Sequence, residues 1–157
     1  HLRPRLVTDA EWQSVNAILD SRQVEAFRTQ PAGDQAHLVC VLERLQSAGE
    51  TDRDLLQAAL LHDIGKVSGK NAPTLLDRSL LVLLTRVRPQ LIDRLTATPH
   101  RWNRGLFLAA HHPRLGAEQA AELGCSERTC WLIARHAESD AGNDPQLAAL
   151  QSADRAC

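Results

Sequence analysis

Wherever apolar residues cluster in this chain they recur three and four positions apart, and no stretch alternates β-branched and polar residues with the two-residue period of a strand. That regularity predicts an all-α fold. Local signals divide it into about seven helices. Thr8 or Asp9 can cap a first helix carrying Trp12, Val15 and Leu19, and Asp34 a second with Leu38, Val41, Leu42 and Leu45, stopped by Gly49. A third opens near Thr51 or Asp52, runs through Leu55, Leu56, Ala59 and Leu60, and meets a terminator in Gly65. A fourth follows Pro73 and Thr74 and breaks or kinks near Pro89. Thr98-Pro99 is a stop, Arg104 to Ala110 a short apolar helix, and Gly116 to Leu123 a further one ending at Gly124. Ser126 caps the helix of Trp131, Leu132 and Ile133, and Asn143 or Asp144 with Pro145 starts the last.

The 157 residues suit one domain that buries roughly 68–70% of its unfolded surface, and no repeat or linker divides them. The apolar run Leu80 to Leu84 is bounded by Asp77, Arg78, Arg86 and Arg88, short of the ~18 residues a membrane helix needs. A net charge of −1 gives no global pull towards nucleic acid or membrane. No basic-then-apolar leader opens the sequence, and Cys40, Cys125, Cys130 and Cys157 lack zinc-ribbon or redox spacing, so free thiols in a reducing cytoplasm are expected. A chain that opens on His1 and holds no Met is expected to be a processed or excised piece.

Seven histidines need explaining. Burying a charge or an unpaired imidazole is unfavourable without a partner, so polar groups on an apolar stripe carry information. Asp154 lies four and seven residues after Leu150 and Leu147, and His136 follows Leu132 and Ile133. His62 and Asp63 end the inward face of the third helix. His37 stands one turn before Val41, and His111 and His112 end a stripe bearing Phe107 and Leu108. Taken singly, each can be a hydrogen-bonded core residue or a cap. Together they describe a site for divalent Zn, Mn, Fe or Ni between helices.

The run Ala58-Ala59-Leu60-Leu61-His62-Asp63-Ile64-Gly65-Lys66 resembles the signature of the HD superfamily of metal-dependent phosphohydrolases in its HDIG form. His37 upstream, the segment His112-Pro113-Arg114-Leu115-Gly116-Ala117, His136 and Ser152-Ala153-Asp154 follow the order of the family's other motifs. The resemblance covers residues 34–157, with 1–33 as an N-terminal helical extension of a single HD domain. It implies His37, His62, Asp63 and Asp154 as core metal ligands, Asp63 able to bridge two ions, and His112 and His136 as ligands of a second. Two positions depart from the pattern. His136 is followed by Ala137 where many binuclear members have a second His, and Arg114-Leu115-Gly116 replaces the Gly-Tyr-Pro of the cyclic-di-GMP branch.

The resemblance implies hydrolysis of a phosphomonoester or phosphodiester, of a nucleotide or dinucleotide, by a metal-activated hydroxide. One or two divalent ions (Mn, Fe, Ni, Co, Zn or Mg) would serve, Asp63 and Lys66 acting in catalysis. Lys66 is one of two lysines against sixteen arginines; its compact ammonium suits a phosphate oxygen or, more simply, a helix C-terminus. From Arg78 to Arg114 seven arginines face a single acid, Asp93. Part of that segment, with Arg101, Arg104 and His111, is expected to rim the site and Trp102 to stack on a base; a solvated face paired with acids is the plainer alternative. The rival function is a regulatory or nucleotide-binding module that keeps the metal without turnover, and a structural zinc domain is a third reading. Neither membrane nor specific nucleic acid is an expected partner.

Overall fold

The computed structural model describes residues 5–66, 84, 89–100 and 103–157. Among them all regular structure is helical: α1 (Asp9–Ile18), α2 (Ser21–Arg28), α3 (Ala32–Ser47), α4 (Arg53–Leu61), a 3₁₀ turn (Ile64–Lys66), α5 (Pro89–Leu95), α6 (Arg104–Glu122), α7 (Glu127–Arg135) and α8 (Pro145–Ala156). The all-α expectation holds, with eight α-helices in the described residues where about seven were expected. None of them is long and apolar enough to cross a membrane. The helix expected after Pro73, with Arg78, Arg86, Arg88, Arg101 and Trp102, lies outside the described residues.

Side-chain caps start most helices where the sequence places them. Thr8 and Glu11 form a reciprocal capping box on α1, and Asp52, Ser126 and Asp144 accept from the backbone N–H three residues on in α4, α7 and α8. Gly49 and Gly124, at φ of +89° and +79°, terminate α3 and α6 as expected.

Four details differ from expectation. A short helix, α2, opens on Asp20 with its own capping box to Gln23. Helix α3 begins at Ala32 after Pro31, so Asp34 lies in its first turn rather than at its cap. Pro89 starts a helix instead of breaking one, which its fixed φ and missing N–H permit at a first position. The two helices expected on either side of Pro113 are one continuous α6.

Helix α4 is the axis of the bundle. Its residues Leu55 to Leu61 are all buried, the mark of a helix enclosed on every side. It packs against α1, α3, α7 and α8, while the 3₁₀ turn at its end packs on α6. One apolar cluster joins Val15, Leu19 and Phe27 of the N-terminal segment to Leu42, Leu60, Ile133 and Leu150. Each such fully buried side chain contributes about 1.5–3 kcal/mol. The described part of the N-terminal segment, residues 5–33, thus shares the core of the residues that follow it.

The thiol expectation needs correction. Cys40 on α3 and Cys157 at the end of α8 form a disulfide with their Cα atoms 6.0 Å apart, and only Cys125 and Cys130 are free. Burial pushes the Cys125 thiol up to about 11, which leaves it protonated and unreactive at neutral pH.

Candidate metal centre

Helix α4 ends in a turn that delivers His62 and Asp63 into the middle of the bundle, where they are 1% and 3% exposed. Four other elements bring side chains to them. His37 comes from the first half of α3, His112 from the centre of α6, His136 from the C-cap of α7 and Asp154 from the last turn of α8. All six residues proposed from the sequence as ligands therefore meet at one place.

They form two sets. His37 Nε2 lies 2.9 Å from Asp154 Oδ1, and His62 Nε2 lies 3.4 Å from the same oxygen and 3.7 Å from Asp63 Oδ1. On the other side, His112 Nε2 and His136 Nε2 are 3.2 Å apart and stand 3.6 and 3.8 Å from Asp63 Oδ1. His37, His62 and Asp63 could hold one cation, and Asp63, His112 and His136 another. Asp63 belongs to both.

Three of the histidines, the buried His62 and His136 and the partly buried His112, are oriented by one device. His62 Nδ1 donates to Ala59 O at 3.0 Å, His112 Nδ1 to Ala109 O at 2.8 Å, and His136 Nδ1 to Ile133 O at 2.7 Å. A carbonyl only accepts, so each Nδ1 carries a proton and each Nε2 is turned to the centre. For His112 the device depends on its neighbour. Pro113 has no N–H to give to Ala109 O four residues earlier, and the imidazole takes that acceptor, which also explains why α6 continues through the proline.

Charge in the cluster is divided. Burial pushes the imidazoles of His112 and His136 down to about 4 and 3, so both are neutral at pH 7, with lone pairs on their Nε2 atoms. Burial also opposes charge on His62, but Asp63 and Asp154 outweigh it and hold its proton more tightly than usual. Desolvation of Asp63 is likewise overcome, by His62, Lys66 and His112, and its carboxyl stays well below the usual range; Asp154 is held low against burial by His37 and His62.

The donor set fits a divalent cation. Two neutral nitrogen lone pairs point at each other across 3.2 Å beside a carboxylate oxygen, an arrangement that repels itself unless a positive charge stands between. Donors bound to one ion at about 2.0–2.1 Å lie roughly 3.0–3.4 Å apart, close to the spacing seen. His62 Nε2 and Asp63 Oδ1 are buried without a hydrogen-bond partner, which a native interior rarely tolerates and which a cation would relieve.

The remaining candidates divide. Lys66 Nζ donates to Asp63 Oδ2 at 2.5 Å, which turns the other oxygen, Oδ1, to the imidazoles. His111 does not join the cluster: its Nε2 is 3.1 Å from both the carbonyl and the hydroxyl of Thr96, and its ring packs on Phe107. A residue one position before His112 on a helix points about 100° away, and here that direction leads to the segment after α5. Arg104 is exposed and borders a cleft with Gly65, Pro99 and Phe107. Arg114 pairs with Glu118 on an exposed face, the plain alternative for that arginine. Arg101 lies outside the described residues.

Two contributors were not singled out for their structural part in the site. Gly65, expected as a helix terminator, has no positive φ; a Cβ there would strike His112 O and come within 2.5 Å of Gly116 N. It serves close approach of the 3₁₀ turn to α6, which brings Asp63 beside His112. Pro113 is the other. Its signal was present in sequence, since a proline directly after a histidine frees a carbonyl three residues before that ring. Comparison with protein-family models, with curated proteins and with solved structures finds no match to this chain.

Proposed function

We propose that the chain is a metal-dependent phosphohydrolase of the HD type that cleaves a phosphomonoester or phosphodiester bond of a nucleotide or dinucleotide. The observation that carries this reading is the convergence of neutral His112 and His136 Nε2 atoms on Asp63 Oδ1, with His37 and His62 completing a second set around the same carboxylate and Asp154 Oδ1 set against both of their imidazoles. The order and spacing of these residues, which resemble those of the HD superfamily, supply the reaction class.

Divalent cations held there would lower the pKa of water towards neutrality and offset charge on phosphoryl oxygens. The protein's part is positional. Asp63 shares one oxygen between the two sets, and Lys66 fixes its rotation by holding the other. An ammonium has three donors, so Lys66 keeps two for a phosphate oxygen while bound to Asp63. His37 and Asp154 are 27% and 29% exposed at their side chains and Lys66 21%, whereas His62, Asp63 and His136 are enclosed. The cluster is thus least enclosed at His37, Asp154 and Lys66.

Elemental analysis followed by a screen of p-nitrophenyl phosphate, nucleotides and cyclic dinucleotides with Mn, Co, Ni, Fe or Mg tests the proposal. The expected result is metal-dependent turnover that Asp63→Ala abolishes. Bound metal and nucleotide without turnover would instead identify a regulatory module, and a protein that takes up no divalent metal would overturn both.

A further inference from the structure

We infer that the Cys40–Cys157 disulfide is a thiol-responsive clasp on the metal centre: its reduction weakens the position formed by His37, His62, Asp63 and Asp154 and leaves that of Asp63, His112 and His136 nearly unchanged. This rests on reading the six-residue cluster as a metal centre.

Cys40 follows His37 by three residues on α3, and Cys157 follows Asp154 by three at the end of α8, so each cysteine lies about one turn from a ligand on the same side of its helix. The two helices are thus joined twice, by His37 Nε2 to Asp154 Oδ1 at 2.9 Å and by the disulfide one turn on. The two helices also pack through the core, Leu38, Leu42 and Leu45 of α3 and Leu147, Leu150 and Ala153 of α8 belonging to one buried apolar cluster, so the two links act on the polar edge beside it. Arg155, Ala156 and Cys157 are exposed, and His37 and Asp154 are the most exposed of the six ligands. The second set is anchored differently. Its histidines sit on α6 and α7, in mutual contact through their rings and tied to their own helices by Nδ1.

The bond spans 117 positions of chain, so breaking it removes the covalent tie between the last turn of α8 and α3 without altering either helix internally, while the apolar packing between them stays. Cys157 is exposed and Cys40 partly so, within reach of an attacking thiolate. A dithiol reductant adds to one sulfur to give a mixed disulfide, then closes its own ring. Two electrons and two protons end on the Cys40 and Cys157 sulfurs, and the reductant leaves as a cyclic disulfide.

The test compares oxidised protein with protein reduced by a dithiol that is then removed by anaerobic gel filtration, since dithiols bind metals. Thiol titration of unfolded samples should count two thiols in the oxidised protein and four in the reduced. Mn²⁺ titration should show one class of site weakened on the order of tenfold by reduction, the other unmoved, with recovery on reoxidation. His112→Ala, which disables the second position, should leave the redox-sensitive class alone. Cys40→Ser should copy the reduced state; where circular dichroism shows it misfolded, Cys157→Ser at the exposed end serves instead. Equal Mn²⁺ affinities in both states, or four thiols in the oxidised protein, overturn the clasp alone. No Mn²⁺ binding in either state overturns the clasp and the metal-centre reading together.

Discussion

Gly65 and Gly116 approach so closely that a Cβ placed on Gly116 would lie 3.3 Å from the Gly65 nitrogen, and one placed on Gly65 would run into the α6 backbone itself. The first contact is tight and partly with a side chain, Ile133, that can shift; the second is with backbone that cannot. Gly65→Ala should therefore destabilise the fold by about 1–3 kcal/mol, and Gly116→Ala by less, in urea unfolding. Equal and small losses in both would contradict the close approach as the reason for glycine at 65.

Pro113 should be separable from stability. In Pro113→Ala the restored N–H competes with His112 Nδ1 for Ala109 O, and the imidazole loses the bond that aims its Nε2. The thermal midpoint is expected to be no lower than that of the unaltered protein, while metal affinity at the His112 and His136 position falls on the order of tenfold. Calorimetric titration with Mn²⁺ and a thermal melt of the same sample give both readings. A fall in midpoint with affinity intact would mean that the proline serves the helix rather than the ligand.

Ligand removal should expose the sharing of Asp63. His37→Ala is expected to lose one class of Mn²⁺ site and His136→Ala the other, whereas Asp63→Ala loses both, with affinities lowered roughly 10–100-fold or more. Retention of one full-strength site in Asp63→Ala would show that the two sets do not depend on a common carboxylate.

A separate prediction concerns acid stability at the N-terminal edge. Glu11 accepts from Arg5 and from the backbone and hydroxyl of Thr8, and the Arg5 hydrogen bond is the largest of the influences that hold its carboxyl down at about 2 against burial. A carboxyl held below its ordinary 4.5 binds more protons in the unfolded chain than in the folded one. Its contribution to stability is complete above about 4.5 and disappears as pH falls towards 2. Glu11→Gln should flatten that part of the stability profile, measured by urea unfolding from pH 6 to pH 2. A profile as steep as that of the unaltered protein would assign the loss to other carboxyls.

What the sequence disclosed depended on how local the cause was. Thr8, Asp52, Ser126 and Asp144 were readable as helix starts because a cap bonds to its own next turn. Helix α2 was missed because it spans two turns and buries only Gln23, Val24 and Phe27, too short a stripe for periodicity to register. The continuity of α6 was hidden because a side chain, rather than backbone, answers for the missing N–H of Pro113. The six converging residues were readable as polar groups on inward stripes, yet their division into two sets was not, since it depends on which helices touch. Cys40 and Cys157, 117 positions apart, gave no spacing signal at all.

The single Oδ1 of Asp63 that faces both sets has a thermodynamic consequence. Two ions that draw on one anionic oxygen are linked, and linkage is reciprocal. By whatever factor filling the His37 side changes affinity on the His112 side, filling the His112 side changes affinity on the His37 side equally. The centre would then respond to the total supply of metal as one unit, its two positions filling and emptying together rather than in turn.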